Sequence, residues 1–150
     1  MRNIKGTYTL IVFVAGRINL GIGSLGTFAF EKGWHAYTGS ARGPAGLLGR
    51  IRRHLKKDKK PFWHIDYLLK SRHSSIRAIV YTKVGERHEC KIVKEIGEKN
   101  VKPIKGFGAS DCNKGCKSHL CYMNDDFEAT LKSILDAYGN LNLIASLRLF

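Results

Sequence analysis

The chain has 150 residues, 43% of them hydrophobic and 10% aromatic, enough apolar material for one modest core and unlike a repeat array or a disordered tract. Twenty-six lysines and arginines face twelve aspartates and glutamates, a formal net charge of +14. A field of that sign attracts a polyanion, with nucleic acid the first candidate and an acidic membrane surface the second. A membrane span is excluded as an expectation, because the longest apolar run, residues 9–15, suits a single strand.

Residues 1–15 faintly imitate a signal peptide, with Arg2 and Lys5 ahead of an apolar stretch. They lack a small-x-small cleavage site, and Tyr8 and Thr9 stand where the apolar core would begin. The expectation is a cytoplasmic protein with reduced cysteines and no membrane partner. All four cysteines (Cys90, Cys112, Cys116, Cys121) fall in the second half. Three of them lie within ten residues, which in a reducing compartment points to metal before disulfide.

In chain order, residues 7–14 are β-branched and apolar and read as a buried strand. Gly16 marks a turn, and Ile18, Leu20 and Ile22 alternate as a partner strand in a hairpin would. A third strand runs through residues 34–38 and ends at Gly39-Ser40. Residues 43–57 read as a helix with Pro44 in its first turn and Leu47, Leu48, Ile51 and Leu55 on one face. Residues 63–69 suit a short helix or turn, residues 76–82 a strand, and residues 86–97 a helix. Residues 106–124 are rich in Gly and Cys and read as irregular. Asp125-Asp126 can cap a helix reaching about Tyr138, with Leu131, Ile134 and Leu135 buried. The tail, residues 141–150, alternates as a last strand would. This order predicts one domain over residues 1–150 of α+β class, with a small, mostly antiparallel three-stranded central sheet flanked by helices.

The sharpest signal is an ordered constellation. Gly6-Thr7-Tyr8 opens the first strand, and Tyr37-Thr38-Gly39-Ser40-Ala41 closes the third. A helix then carries Arg50 and, four residues on and on the same face, His54. Glu89 follows on a later helix, in competition with Glu86 and Glu95. Singly these would be half-buried strand tyrosines, a solvated arginine, a surface histidine and exposed carboxylates. In this order they resemble the GIY-YIG endonuclease superfamily. The phrases His64-Ile65-Asp66-Tyr67-Leu68 and Gly106-Phe107-Gly108-Ala109-Ser110-Asp111-Cys112, with Ser118-His119-Leu120, further resemble its Uri-type branch.

The resemblance implies a divalent-metal-dependent endonuclease that hydrolyses phosphodiester bonds, DNA before RNA. It implies Tyr8 near the attacking water, Tyr37 positioning water or phosphate, Arg50 gripping a phosphate oxygen, His54 relaying a proton, and Glu89 holding Mg²⁺ or Mn²⁺. A tyrosine beside a cation or a histidine is expected to have its pKa lowered enough to act as a base. Two departures accompany it. The gap between Tyr8 and Tyr37 is longer than in compact members, so residues 18–31 look like an inserted hairpin. The asparagine that many members carry after the glutamate helix has Asn100, Ser110 or Asp111 as its counterpart.

Two further features stand apart. Cys112, Cys116 and His119 have a spacing that suits tetrahedral Zn²⁺, with Cys121, Cys90 or His64 as a fourth donor; buried thiols or a disulfide are the alternatives. Residues 42–60 hold eight lysines and arginines against Asp58 alone. Arg42, Arg52, Arg53, Lys56 and Lys57 are thus candidates for following a phosphate backbone, with Trp63 and His64 as stacking surfaces beside them. The rival to a nuclease is a nucleic-acid-binding module without catalysis, its Cys/His loop stapled by zinc.

Overall fold

The computed structural model describes residues 4–98, 101–107, 116 and 118–150. Its centre is the strand β1 (Gly6–Val14), whose unbroken run of apolar and β-branched residues is buried on both faces, as a strand covered by helices on each side requires. β1 pairs antiparallel with β4 (Gly33–Ala41) on one edge and β5 (Ser74–Thr82) on the other. Between β1 and β4 the chain makes a separate two-stranded sheet, β2 (Ile18–Gly21) with β3 (Thr27–Phe30). The helices are α1 (Gly46–Leu55), α2 (His64–Lys70), α3 (Glu89–Gly97) and α4 (Phe127–Asn140). Three short strands complete the chain: β6 (Lys102–Pro103), β7 (Leu120–Asn124) and β8 (Ser146–Leu149). None of the helices among the described residues is long and apolar enough to cross a membrane.

The α+β class expected from the sequence is what forms, but the sheet is larger. Its order is β6-β7-β4-β1-β5-β8, six strands and not three. Of the first three strands expected, residues 7–14 and 34–38 are at its centre as β1 and β4, and β5 takes the third central place. β4 and β5 would otherwise expose open edges of backbone donors and acceptors; β7 and β8 pair with them. β7 lies inside the stretch that reads as irregular, since glycines and cysteines mask a strand of five residues.

Period-two alternation divides β1 between two cores. Tyr8, Leu10, Val12 and Val14 pack with Leu47 and Ile51 of α1 and with Ile65, Leu68 and Leu69 of α2. Ile11 faces the other way, toward Ile92 and Ile96 of α3 and Ile134, Ala137 and Tyr138 of α4. The sheet is therefore a wall between two helical layers.

Two local expectations are corrected. Residues 18–21 do not pair with β1; they form their own hairpin with β3, and its Ile18, Leu20 and Phe28 lie on the first core. In α1, Leu55 is 41% exposed and His54 takes the inward place, because Leu47, Ile51 and His54 sit at i, i+4 and i+7. The cap expected at α4 is present, the Asp126 carboxylate accepting the Glu128 amide at 3.2 Å.

Candidate functional site

Cross-strand register brings the two tyrosines together. Tyr8 pairs with Gly39 and Leu10 with Tyr37, so Tyr8 and Tyr37 are diagonal neighbours on the face that receives α1. Gly39 is required there: a Cβ on it would stand 2.6 Å from the Tyr8 hydroxyl. Gly6 is required at the strand's start, where a Cβ would meet the Thr82 carbonyl oxygen at 2.2 Å.

α1 crosses above this pair and delivers Arg50 and His54. The Tyr8 hydroxyl lies 2.7 Å from His54 Nε2. The Arg50 charge acts on the same phenol, and its guanidinium stacks 4.4 Å over the Trp63 ring. With the His54 imidazole neutral and its Nε2 unprotonated, the phenol donates and Nε2 accepts. Tyr37 closes the group, its ring 6.3 Å from that of His54. Glu89 opens α3, and its negative charge raises the pKa of both phenols. Glu86 is exposed beside His88, and Glu95 accepts from Asn140, so neither takes the place of Glu89.

Burial sets the protonation states. It raises the Tyr8 phenol well above its ordinary range, outweighing the opposing pull of Arg50, and it raises Tyr37 likewise. The expectation that a neighbouring cation lowers the tyrosine pKa is therefore reversed in the free protein. Burial, with Lys59 next in weight, pushes His54 down to about 3, so its imidazole is neutral and able to accept.

The basic run divides into two kinds of residue. Lys57 Nζ donates to the carbonyls of Leu69, Ser71 and Ser74 at 2.7, 2.6 and 2.6 Å and so ties the end of α2 to the start of β5. Arg53 donates to Asp66 Oδ2 at 2.7 Å, the same oxygen that accepts the amides of Phe62 and Trp63 at 2.8 and 2.9 Å. Burial alone would raise the Asp66 carboxyl, but those two amides and Arg53 outweigh it and hold it below the usual carboxylate range. Arg42 donates to the Gly85 carbonyl. Arg53, Lys57 and Arg42 are thus engaged within the fold, whereas Arg52 and Lys56 stand exposed on and just after α1. Lys59, not singled out in the sequence, is buried and closes α1 by donating to the carbonyls of Arg53 and His54.

The two candidate stacking residues are turned inward. Trp63 carries Arg50 and Arg53 on its ring, and His64 packs edge-on against Phe107 at 5.8 Å. Their neighbour Phe62 is 78% exposed beside the tyrosine site and is not distinguished by sequence, where it looks like one more apolar residue after Pro61.

On the opposite face of the sheet, Cys90, Cys116 and His119 bring donor atoms within 4.8 Å of one another, a group that could hold a metal ion. Cys116 and His119 of the predicted zinc set are therefore together, and Cys90 joins them. Cys112 lies outside the described residues, as do Asn100, Ser110 and Asp111. Cys121 points elsewhere: its thiol approaches the Ala36 carbonyl and Met123, and burial pushes it up to about 12. Cys116, His119 and Cys121 also line a cavity of about 290 Å³ between the sheet and α3.

A family model described as "Domain of unknown function DUF123" matches residues 7–142, a span that holds the tyrosine pair, α1, Glu89 and the thiol cluster. No curated protein matches the chain. No solved structure matches it either.

Proposed function

From a chain that belongs to the DUF123 family, a family of unknown function, we propose a divalent-metal-dependent endonuclease that hydrolyses phosphodiester bonds, in DNA before RNA. The observation that carries the reading is the convergence of Tyr8, Tyr37, Arg50 and His54, contributed by β1, β4 and α1, on the face of the sheet that receives α1, with the Glu89 carboxylate of α3 acting on both phenols from the other layer. A structural role explains a tyrosine–histidine hydrogen bond. It does not explain a carboxylate brought toward two buried phenols, since that charge opposes their ionisation and repels a phosphate unless a cation lies between. These residues resemble those of the GIY-YIG superfamily in kind and order.

In this reading the oxygen of the attacking water bonds to phosphorus as the water gives a proton to Tyr8 and Tyr8 gives its own to His54 Nε2; the bond from phosphorus to the leaving oxygen breaks, and that oxygen takes a proton from solvent. Neutral His54 is the right acceptor, and an arriving phosphate raises its pKa by placing negative charge nearby. Arg50 offsets the charge on Tyr8 and grips a phosphate oxygen. Tyr37 orients the water. Glu89 would hold Mg²⁺ or Mn²⁺, hard ions that favour oxygen ligands such as its carboxylate. The ion supplies neutralisation of the charge that develops on phosphate. A second metal, structural Zn²⁺, suits the thiolate and imidazole donors across the sheet.

The test is cleavage of single-stranded, duplex and branched DNA and of RNA in Mg²⁺, Mn²⁺ or EDTA, with Tyr8→Phe and Glu89→Gln alongside. Single-turnover rates are expected to fall about 10²–10⁴-fold in both variants, with nucleic-acid affinity kept. Folded variants that cut at the wild-type rate, or a wild type that binds without cutting under every condition, sink the reading; the second outcome favours a binding module.

A further inference from the structure

We infer that Cys90, Cys116 and His119 form a Zn²⁺ site whose work is to hold the first turn of α3, and with it Glu89, in register with the tyrosine pair. The part that concerns Glu89 rests on the nuclease reading; the metal site itself does not.

The donor set selects the metal. Two thiols and an imidazole suit a borderline-soft ion such as Zn²⁺ and offer nothing to Mg²⁺. The spacing is close to that of a filled site. Zinc–sulfur and zinc–nitrogen bonds of about 2.3 and 2.0 Å at a tetrahedral angle put S and N roughly 3.6 Å apart. Cys90 Sγ and His119 Nε2 are 3.9 Å apart, and all three donors lie within 4.8 Å.

The arms of the site are unequal, which gives it a mechanical sense. His119 is fixed: its amide donates to the Phe107 carbonyl at 2.9 Å, and its carbonyl accepts the Thr38 amide at 3.0 Å, one residue from Tyr37. Ser118 braces the same turn through the Phe107 and Leu120 carbonyls. Cys90 is on the less secured arm, because α3 starts at His88 without a side-chain cap. A metal joining the two ties an uncapped helix start to the strand layer that bears Tyr37. Glu89 is the residue before Cys90, so fixing one fixes the direction of the other.

The experiment uses reduced full-length protein. Zinc content is expected at about one per chain, and Co²⁺ in its place should give thiolate-to-cobalt absorption. Cys90→Ser and Cys116→Ser should abolish that band, and Cys121→Ser should keep it. Chelation of wild-type protein should speed amide exchange in residues 89–93 by about tenfold or more, reversed by Zn²⁺ and not by Mg²⁺. Zinc removal should also raise the Mg²⁺ concentration for half-maximal cleavage by about tenfold, leaving nucleic-acid affinity unchanged. The chelation arm stands even if a serine variant does not fold. Absence of the cobalt band, or exchange in α3 indifferent to zinc, overturns the inference. A wild type with the band and zinc-dependent exchange but without cleavage overturns the nuclease reading alone.

Discussion

A Cβ at Gly39 would stand 2.6 Å from the Tyr8 hydroxyl and 2.8 Å from the ring carbon that bears it. The Tyr8 ring is fully buried and cannot swing into solvent to make room. Gly39→Ala should therefore displace the hydroxyl from His54 Nε2, now at 2.7 Å, without removing any chemical group. Cleavage is expected to drop about 10²-fold or more, as misplacement of a reacting group commonly causes. Little further loss should follow when Tyr8→Phe is added, because both changes disable the same hydroxyl. The double variant in single-turnover kinetics checks this; fully additive losses would mean that Gly39 serves something other than Tyr8. The tyrosines, Arg50 and His54 are legible in the sequence because their order resembles that of the GIY-YIG superfamily, while helix spacing adds only that Arg50 and His54 share a face. Their protonation states are not, since desolvation depends on what the whole first core lays over them.

At the scale of the element, α1 and the turn after it separate charges that the sequence presents as one run. Lys57 satisfies three carbonyls where α2 ends and β5 begins, and Arg53 holds the carboxylate that caps α2. Arg52 and Lys56 are exposed in the same stretch. Charged hydrogen bonds contribute about 1.5–3 kcal/mol each before solvent screening, which reduces the figure for a partly exposed lysine. Lys57→Ala should then lower the melting temperature by several degrees, at roughly 2–4 °C per kcal/mol for a chain of 150 residues. Arg52→Ala with Lys56→Ala should leave it nearly unchanged and reduce the slope of log affinity against log salt by about 2, one for each cation withdrawn from the phosphate backbone. Melting curves and salt titrations on the same preparations distinguish the two roles, and an unaltered slope would place the nucleic-acid surface off α1. Sequence could not make this division, because the carbonyls that Lys57 meets lie twelve to seventeen residues away. The same distance problem leaves Cys90, twenty-nine residues from His119, as one of three alternatives for a further donor. It also hides β7, whose partner strand β4 supplies the reason for its extended shape.

Across the whole molecule, the fold encloses two histidines that carry no charge. His54 sits under α1, and His35 on β4 lies between the rings of Phe30 and Tyr122 at 6.2 and 5.3 Å. Burial lowers His35 to about 4, against a smaller opposing effect from the Gly33 backbone, and lowers His54 to about 3. Both begin from an ordinary value of 6.5. As pH falls below about 6.5, the unfolded chain takes up protons that the folded chain refuses. Stability from these two groups is thus complete above that pH and is lost progressively down to their folded values. Each contributes a slope of up to about 1.4 kcal/mol per pH unit within its window. His35→Leu keeps an apolar side chain of similar bulk and removes one of the two titrating groups. Urea midpoints from pH 7 to pH 4.5 are expected to fall steeply in the wild type and clearly less in the variant, whatever their offset at pH 7. His54 should supply the slope that remains. Parallel curves would mean that the folded protein protonates His35 without penalty, and that the space between β4 and the β2–β3 hairpin admits water.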